Sequence, residues 1–309
     1  MSGQEPSSTA GVPAPSSTAA GQPLDPHVTA DVLVEALPYI QTFRGARVVI
    51  KYGGHAMSSP ELADLFAQDV VLMLHLGMKP IVVHGGGPQI SDLMRRLGKE
   101  PEFVDGLRVT DAETVDIVRM ALIGQVNRQI VTRMNASGPY AVGLGGEDAG
   151  LIRVTQRDPR LGFVGDVERV NPEIIEKLLS DDLIPVVAGI GVDDKGNVYN
   201  VNADAIAAAV AQSLGAQKLV YLTDVPGLLR DVANPESLID EVDLDQLDRL
   251  VGEGAIHSGM VPKLESIAAA IRGGVNRAHI LDGRIPHVLL IELFTRRGIG
   301  TMIWNGTEQ

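Results

Sequence analysis

From residue 46 onward, the apolar positions of the chain switch repeatedly between two spacings. Short runs rich in Val and Ile, such as Arg47 to Tyr52 and Ile184 to Ala188, are typical of buried strands. The stretches between such runs have apolar residues three and four positions apart, which is typical of amphipathic helices. Because strands and helices alternate, the pattern predicts an α/β fold: a three-layer α/β/α sandwich with a mostly parallel central sheet. Only Ile152 to Val170, interrupted by Asp158-Pro159, is typical of an antiparallel ribbon.

Capping-box patterns predict where two of the helices begin. Ser58-x-x-Glu61 precedes an apolar helical pattern with Pro60 in its first turn. Thr110-x-x-Glu113 precedes a second such pattern, which continues to about Ser137. We therefore expect Ser58 and Thr110 to cap these helices.

The pattern divides the chain into four predicted parts. Residues 1–23 are mostly Ser, Thr, Ala, Gly and Pro, which predicts a disordered tail because little apolar surface is present to offset the entropy of ordering. Residues 24–45 predict a helix with one apolar face, suited equally to packing on its own domain or on another subunit. Residues 46–195 and 196–309 are predicted to form an N-terminal and a C-terminal lobe that share one sheet.

Composition narrows the functional classes. The 309 residues include 26 basic and 39 acidic side chains, and the net charge of −13 disfavours a nucleic-acid binder, which must neutralise phosphates. The absence of cysteine excludes disulfides, thiolate metal sites and a cysteine nucleophile. No apolar run approaches the roughly 18 residues that span a membrane, and no Lys or Arg precedes Arg44, so the charged start of a signal peptide is missing. We therefore expect a soluble cytoplasmic protein.

Glycine clusters follow two consecutive predicted strands. Gly53-Gly54 and Gly85-Gly86-Gly87 stand where open α/β sheets bind ligands, and glycine lets the backbone approach a phosphate or a carboxylate closely. A strand-to-helix turn also uses glycine for steric reasons alone, so each cluster by itself is a weak signal. Neither cluster forms a dinucleotide-binding fingerprint or a P-loop, which disfavours both of those sites.

At four places in the sequence, charged or amide side chains stand where the predicted secondary structure alone does not account for them. Lys51 ends a run of buried strand residues, and Arg108 just precedes a helix. The segment from Asn200 to Asp204 contains two amides and one carboxylate at a helix start, of which an N-cap explains one. Lys263 lies near a helix N-terminus, where a cation is unfavourable unless an anion binds. Solvated side chains remain an alternative for Lys51, Arg108 and Lys263.

Taken together, these residues resemble the amino-acid kinase family. Of its members, the chain is most similar to those that phosphorylate the side-chain carboxylate of N-acetyl-L-glutamate in arginine biosynthesis. The resemblance extends from about Val48 to the C-terminus, and the blocks that carry it span about 215 residues. Six blocks carry it: Ile50-Lys51-Tyr52-Gly53-Gly54, Val83-His84-Gly85-Gly86-Gly87-Pro88, Gly106-Leu107-Arg108-Val109-Thr110, Asn200-Val201-Asn202-Ala203-Asp204, Leu222-Thr223-Asp224-Val225-x-Gly227 and Gly259-Met260-x-x-Lys263.

The resemblance implies a role for each matching position. Lys51 and Lys263 would flank the transferred phosphoryl group as catalytic residues, with Asp204 orienting both ammonium groups. The N-terminal lobe would bind acetylglutamate and dimerise, and the C-terminal lobe would bind ATP. The implied acetylglutamate-binding residues are Gly86, Gly87, Arg108, Asn200 and Asn202. The implied ATP-binding residues are Gly53, Gly54, Asp224, Val225, Gly227, Leu228, Leu229, Ser258, Gly259 and Met260.

The chemistry of such a reaction agrees with this set of residues. A carboxylate nucleophile is ionised at neutral pH and needs no general base. The difficulty is repulsion between anions, which ammonium groups, backbone N–H groups and Mg²⁺ relieve. Because no His or Cys cluster is present, we expect no dedicated protein metal site, with Mg²⁺ held mainly by ATP phosphates and water.

The C-terminal run from Leu290 to Thr301 resembles the arginine-inhibited members of the family. Those members carry an additional N-terminal helix that joins dimers into a hexamer, a trimer of dimers, and residues 24–45 fit that description. The resemblance implies L-arginine as an inhibitor, with His279, Glu292 and Gly298 as contacts. It leaves room for a nitrogen-signalling protein partner, which no residue pattern in the sequence specifies.

Three alternatives stay open at this stage. A carbamate, glutamate, aspartate or uridylate kinase of the same family would share the glycine turns and the lysines. A catalytically silent arginine sensor would keep the fold without turnover, although ligand binding alone needs no second phosphoryl-facing lysine. A Rossmann-like binding protein is disfavoured by the failed glycine fingerprints.

Overall fold

The computed structural model describes residues 25–57, 59–231, 234–253, 256, 260–295 and 298–306. The internal contacts separate two units, one ending at Pro38 and the other beginning at Tyr39. The first described helix, α1 (Pro26–Phe43), confirms the helix expected within residues 24–45. None of its residues is buried, and the side chains of Val32, Leu33 and Leu37 are 48–63% exposed. The predicted disordered tail lies outside the described residues.

The second unit is built on an eight-stranded sheet with the strand order β12-β14-β13-β11-β1-β2-β8-β5. All neighbouring strands in it are parallel except β13 and β14. This arrangement confirms the predicted fold class. The strands of the sheet are β1 (Arg47–Tyr52), β2 (Lys79–His84), β5 (Ala141–Leu144), β8 (Ile184–Ala188), β11 (Lys218–Thr223), β12 (Glu241–Asp243), β13 (Arg277–Asp282) and β14 (Thr301–Trp304).

Helices cover both faces of the sheet because side chains in β1 alternate between two apolar cores. Val48 and Ile50 pack with α2, α5 and α10, whereas Val49 packs with α6, α7, α8 and α9 on the opposite face. Lys51 follows the alternation of Val49, so its side chain leaves the strand toward α7 and α9. The helices are α2 (Pro60–His75), α3 (Gly87–Arg96), α4 (Ala112–Arg119), α5 (Arg128–Met134), α6 (Glu173–Ser180), α7 (Ala203–Ser213), α8 (Leu244–Gly252), α9 (Val261–Arg272) and α10 (Val288–Phe294).

Two smaller strand assemblies flank the sheet. The predicted ribbon is confirmed as the antiparallel pair β6 (Ile152–Gln156) and β7 (Val164–Val170). The sequence did not predict that β9 (Ile190–Val192) and β10 (Val198–Val201) close this pair into a four-stranded barrel. A hairpin of β3 (Phe103–Val104) and β4 (Leu107–Arg108) was also missed, because two-residue strands leave no periodic signal.

Both predicted capping residues are displaced by one position. Ser59, not Ser58, caps α2 by accepting from the Leu62 N–H, and Ser58 lies outside the described residues. Asp111 caps α4 by accepting from the Thr114 N–H at 2.8 Å, because the hydroxyl of Thr110 is committed to the Arg108 carbonyl. The helix expected to run on to Ser137 is interrupted between α4 and α5 by a π-helical segment, Met120–Asn127.

The parallel pairing brings three strand ends to one edge of the sheet. The register places Lys51 beside Tyr221 of β11 and beside Val83 of β2. The loops that follow β1, β2 and β11 therefore emerge together. No helix in the described part of the chain is long and apolar enough to cross a membrane.

Candidate active site

The structure brings together the three side chains that the sequence predicted as catalytic. Lys51 Nζ lies 3.1 Å from Asp204 Oδ1, and Lys263 Nζ donates to Asp204 Oδ2 at 2.5 Å. Lys51 comes from β1, Asp204 from the first turn of α7 and Lys263 from the first turn of α9. One carboxylate thus bridges two ammonium groups, and the cluster carries a net charge of +1.

Burial strengthens the charge–charge interactions within this cluster and shifts the pKa values of its members. Burial alone would raise the pKa of Asp204, but the ammonium groups of Lys51 and Lys263 outweigh it and lower that pKa. For Lys263 the balance is reversed, because burial lowers the pKa of its ammonium group more than Asp204 raises it. Tyr221 completes the arrangement: its hydroxyl donates to the Asp204 carbonyl at 3.1 Å, and its ring lies under the Lys263 ammonium.

The glycine turns lie beside these charges. Lys51 and Asp204 line a cleft of about 330 Å³ together with Gly53, Gly54 and residues 85–87. A Cβ atom at Gly53 would lie 2.7 Å from Lys51 Nζ, so a larger residue there would displace the ammonium group from its present position. At Gly54, where φ is +73°, a Cβ atom would collide with the Asp224 carboxylate. The loops after β1 and β11 therefore lie in contact at Gly54 and Asp224.

Arg108 lies in the same cleft and is only 7% exposed. Its guanidinium donates to the Gly87 carbonyl at 3.0 Å and to Ser91 Oγ at 2.8 Å. Burial, followed by the charge of Arg95, lowers the pKa of Arg108. Within the described part of the chain, no carboxylate lies within ion-pair distance of this guanidinium. A buried cation without an anionic partner is expensive, and this one faces a cleft, so it is suited to an anionic ligand.

The other predicted acetylglutamate-binding residues also line this cleft: Gly86, Gly87, Asn200 and Asn202. Asn202 is the N-cap of α7 and accepts from the Asp204 N–H at 2.7 Å, so its carbonyl oxygen has a structural role. Among the described residues, the side-chain amide of Asn200 makes one long hydrogen bond, of 3.5 Å to Thr110 Oγ1, so it is suited to bind a ligand in the cleft.

The predicted ATP-binding residues lie in several different environments. Asp224 is exposed in the loop after β11, and Val225 is half-buried there. The backbone of Gly227 and Leu228 packs against Thr301, whose hydroxyl accepts from the Leu228 N–H at 2.8 Å. Leu229 forms a β-bridge with Leu238, and Met260 immediately precedes α9. Ser258 and Gly259 lie outside the described residues. The nucleotide-binding roles of all these positions stay predictions.

A second cavity, of about 710 Å³, contains the three predicted arginine contacts. His279 Nδ1 lies 2.7 Å from Glu292 Oε1, and Glu292 Oε2 accepts from the Ile299 N–H at 2.8 Å. A Cβ atom at Gly298 would lie 2.5 Å from the Glu292 carboxylate. Lys218, which sequence reasoning did not select, lines the same cavity, and burial lowers its pKa to about 8.

Sequence reasoning also missed several residues of the cleft. Ser91 contacts Arg108 from one helical turn beyond the glycine cluster, a spacing that could have suggested it. Tyr221 gave no signal because it is one apolar residue in a buried strand. Among the described residues, no group of three or more His, Cys, Asp or Glu side chains could hold a metal ion.

Comparison with known proteins agrees with this geometry. Residues 46–282 match the model of the amino acid kinase family. The chain is 53% identical over 278 residues to the acetylglutamate kinase of Syntrophomonas wolfei, covering 89% of this chain and 97% of that protein.

Two solved structures of N-acetylglutamate synthase from Neisseria gonorrhoeae share the fold at 27% identity. The one with coenzyme A and N-acetyl-glutamate has a TM-score of 0.78, and the one with coenzyme A and L-arginine has a TM-score of 0.74. Each match covers 90% of this chain, which spans only 64% and 66% of the length of those two synthase chains. The chain therefore belongs to the amino acid kinase family, and it groups with that family's acetylglutamate kinases.

Proposed function

We propose that the chain transfers the γ-phosphoryl group of ATP to the side-chain carboxylate of N-acetyl-L-glutamate, a step of arginine biosynthesis. One observation carries the proposal: Arg108, buried and with no carboxylate of the described residues within ion-pair distance, lines the same cleft as Lys51 and Asp204, and Asp204 also holds Lys263. Two ammonium groups on one carboxylate, with a guanidinium lining the same cleft, leave the site electropositive in a chain of net charge −13. Such a site fits two anionic substrates that must be held together.

The proposed chemistry assigns different groups to different anions. Arg108 binds a carboxylate of the acceptor, and the N–H groups at Gly86 and Gly87 face the reacting carboxylate. Lys51 and Lys263 approach the transferred phosphoryl group from the other side, so that its negative oxygens meet ammonium groups held in place before the reaction. Asp204 fixes the positions of both ammonium groups and keeps their mutual repulsion from driving them apart.

No proton needs to be removed from the acceptor, because a carboxylate is already ionised near neutral pH. Mg²⁺, held chiefly by the nucleotide phosphates and water, would supply further neutralisation of charge.

A single assay tests the proposal. ATP consumption is measured by enzyme-coupled absorbance with N-acetyl-L-glutamate, glutamate, aspartate and carbamate in parallel reactions. We expect turnover with N-acetyl-L-glutamate at least about 10²-fold above the other acceptors, because a buried site built for one acceptor leaves groups unpaired with another. Preference for a different acceptor would make the chain another kinase of the same family. No turnover with any acceptor would favour the silent sensor.

We propose further that L-arginine inhibits the enzyme from the second cavity. Arginine combines a guanidinium with a carboxylate, and this cavity offers the Glu292 carboxylate together with the cationic side chains of Lys218 and Arg277. Hydrogen bonds to His279 and to the Ile299 N–H orient the Glu292 carboxylate. Burial alone would raise the pKa of Glu292, but these hydrogen bonds help to lower it. The likeness to a synthase solved with L-arginine supports this proposal.

Replacing Glu292 with Gln is expected to weaken arginine inhibition by at least about 10-fold, because the guanidinium loses its charged partner while the side-chain volume is kept. The measurement is the ratio of activity with and without arginine across a titration to millimolar concentration. Glu173→Gln, at an exposed position on α6, is the matched control and should titrate like the original chain. Equal inhibition of both variants would show that arginine binds elsewhere.

We propose that the active form is a hexamer, a trimer of dimers joined through α1. The apolar side chains Leu33 and Leu37 lie on one face of that helix and are exposed. Leu33→Asp combined with Leu37→Asp should reduce the mass in light scattering from six chains to two. Val34→Asp introduces one negative charge on α1 outside that face and should keep the hexamer. A double variant that remains hexameric would contradict the role of α1.

A further inference from the structure

Two fully buried polar side chains beside the glycine turn have no part in the proposed reaction. His84 ends β2 immediately before Gly85, and Asn127 ends the π-helical segment; both are 0% exposed. Asn127 Nδ2 lies 3.1 Å from His84 Nε2, and His84 Nδ1 lies 2.9 Å from the Gly85 carbonyl oxygen. Burying a polar side chain is costly even when it is paired, so the presence of two such side chains behind the glycine turn needs a structural reason.

The orientation of the Asn127 amide is fixed by its other partners. Its Nδ2 donates to the Val186 carbonyl at 2.9 Å, and that carbonyl can only accept. Its Oδ1 accepts from Arg128 at 2.5 Å. The amide cannot be flipped without losing both contacts. The atom that faces His84 is therefore a donor, and His84 Nε2 must accept.

This orientation settles the protonation of His84. With Nε2 acting as an acceptor, the ring carries its proton on Nδ1 and donates it to the Gly85 carbonyl. Burial lowers the pKa of His84 to about 4, so the ring is neutral at pH 7. Both ring nitrogens are occupied, which excludes His84 as a general base and leaves it a purely positional role.

We infer that His84, oriented by Asn127, is a positioning residue that aims the Gly86 N–H into the acceptor side of the cleft. In a trans peptide the carbonyl and the next N–H point in opposite directions, and the described residues contain no cis peptide. Holding the Gly85 carbonyl toward buried His84 turns the Gly86 N–H the other way, toward the cleft that Gly86 lines. No group in the described part of the chain accepts a hydrogen bond from that N–H.

The π-helical segment also packs closely against Gly86. A Cβ atom at Gly86 would lie 2.7 Å from Leu122 Cδ2 and 3.1 Å from Val126 Cγ2, both of which belong to this segment. The glycine is thus pressed against the helix that also supplies Asn127. The inference rests on the proposed function only for the identity of the anion that the Gly86 N–H meets, the acceptor carboxylate.

Two substitutions of His84 separate positioning from packing. The amide nitrogen of Asn matches the place of Nδ1, whereas the amide of Gln reaches the place of Nε2. His84→Gln should therefore keep the Asn127 contact and lose the Gly85 contact, and His84→Asn should do the reverse. We expect His84→Gln to raise the KM for N-acetyl-L-glutamate on the order of 30-fold, the scale of losing a hydrogen bond to a charged group, and His84→Asn to raise it less than about 5-fold. The KM for ATP should stay within about 2-fold in both.

A merely structural role predicts a different outcome. If only packing matters, the two variants would change both KM values alike, as should Met78→Ala, a destabilising control at the buried residue immediately before β2. Equal acceptor KM values for the two His84 variants would overturn the inference.

A measurement on the unaltered full-length chain is independent of turnover. Nitrogen-15 NMR of labelled histidine at pH 7 should show His84 protonated on Nδ1 and bare on Nε2, and the opposite tautomer would refute the inference even if the variants fail to fold. A chain that shows this tautomer but does not phosphorylate N-acetyl-L-glutamate would refute the proposed function alone.

Discussion

Replacing Lys263 with Met is expected to lower kcat by about 10²- to 10³-fold, the usual effect of removing one preorganised group that stabilises transition-state charge. The ammonium group is held by Asp204 at 2.5 Å and lies in the first turn of α9, where the helix dipole already disfavours a cation. The helix dipole makes a cation at this position unfavourable for the stability of the fold, so stability by itself does not explain Lys263. The position is explained if the ammonium group acts on negative charge that develops during phosphoryl transfer.

Lys51→Met should cause a loss of similar size, and the two losses should not add. Both ammonium groups are oriented by one carboxylate, so removing either leaves Asp204 with a single partner and disturbs the other. The double variant is therefore expected to lose little more than the worse single variant. Steady-state kinetics of all three at saturating ATP give this comparison.

Lys79→Met is the matched control for these variants. Lys79 starts β2 at the end opposite to the glycine turn, and it pairs with Asp182 at 2.7 Å. Removing it breaks a lysine–aspartate contact without touching the cleft, so kcat should be unchanged. If the Lys51 and Lys263 variants both keep near-normal turnover, or if the control loses as much as they do, the catalytic assignment is wrong.

The elements that place Lys51 could be predicted because they depend on local pattern. A run of buried residues identifies β1, and the Gly53-Gly54 turn after it was expected at the edge of the sheet where open α/β folds bind ligands. The convergence of Lys51 with Lys263 could not be read from spacing. It depends on how α9 packs over the sheet, which no short-range signal encodes. The resemblance to a family supplied it instead.

Other parts of the site were missed for identifiable reasons. The two strands of the β3–β4 hairpin that contributes Arg108 are too short for a period to be visible. The capping residue Asp111 replaced Thr110 because the Thr110 hydroxyl is used by a backbone carbonyl, a choice that only the folded loop determines. The pairing of His84 with Asn127 crosses 43 positions and depends on a π-helical segment.

The second large effect is expected at Arg108. Arg108→Met should raise the KM for N-acetyl-L-glutamate by about 30-fold or more, which corresponds to the roughly 2 kcal/mol or greater cost of truncating one partner of a buried, hydrogen-bonded charge pair. The KM for ATP should change far less, since the guanidinium lies on the acceptor side of the cleft, against Gly87 and Ser91. Initial rates over a matrix of both substrate concentrations separate the two constants.

Two further variants distinguish loss of binding from loss of structure. Ser91→Ala removes one of the hydrogen bonds that hold the guanidinium but keeps its charge, so it should raise the acceptor KM by less than about 10-fold. Arg95→Met removes a nearby arginine whose side chain is 60% exposed and should leave both KM values unchanged. If Arg108→Met instead raises both KM values equally, Arg108 supports the hairpin and the glycine turn generally. The acceptor carboxylate must then be recognised by another group in the cleft, of which the Asn200 amide is the first to test.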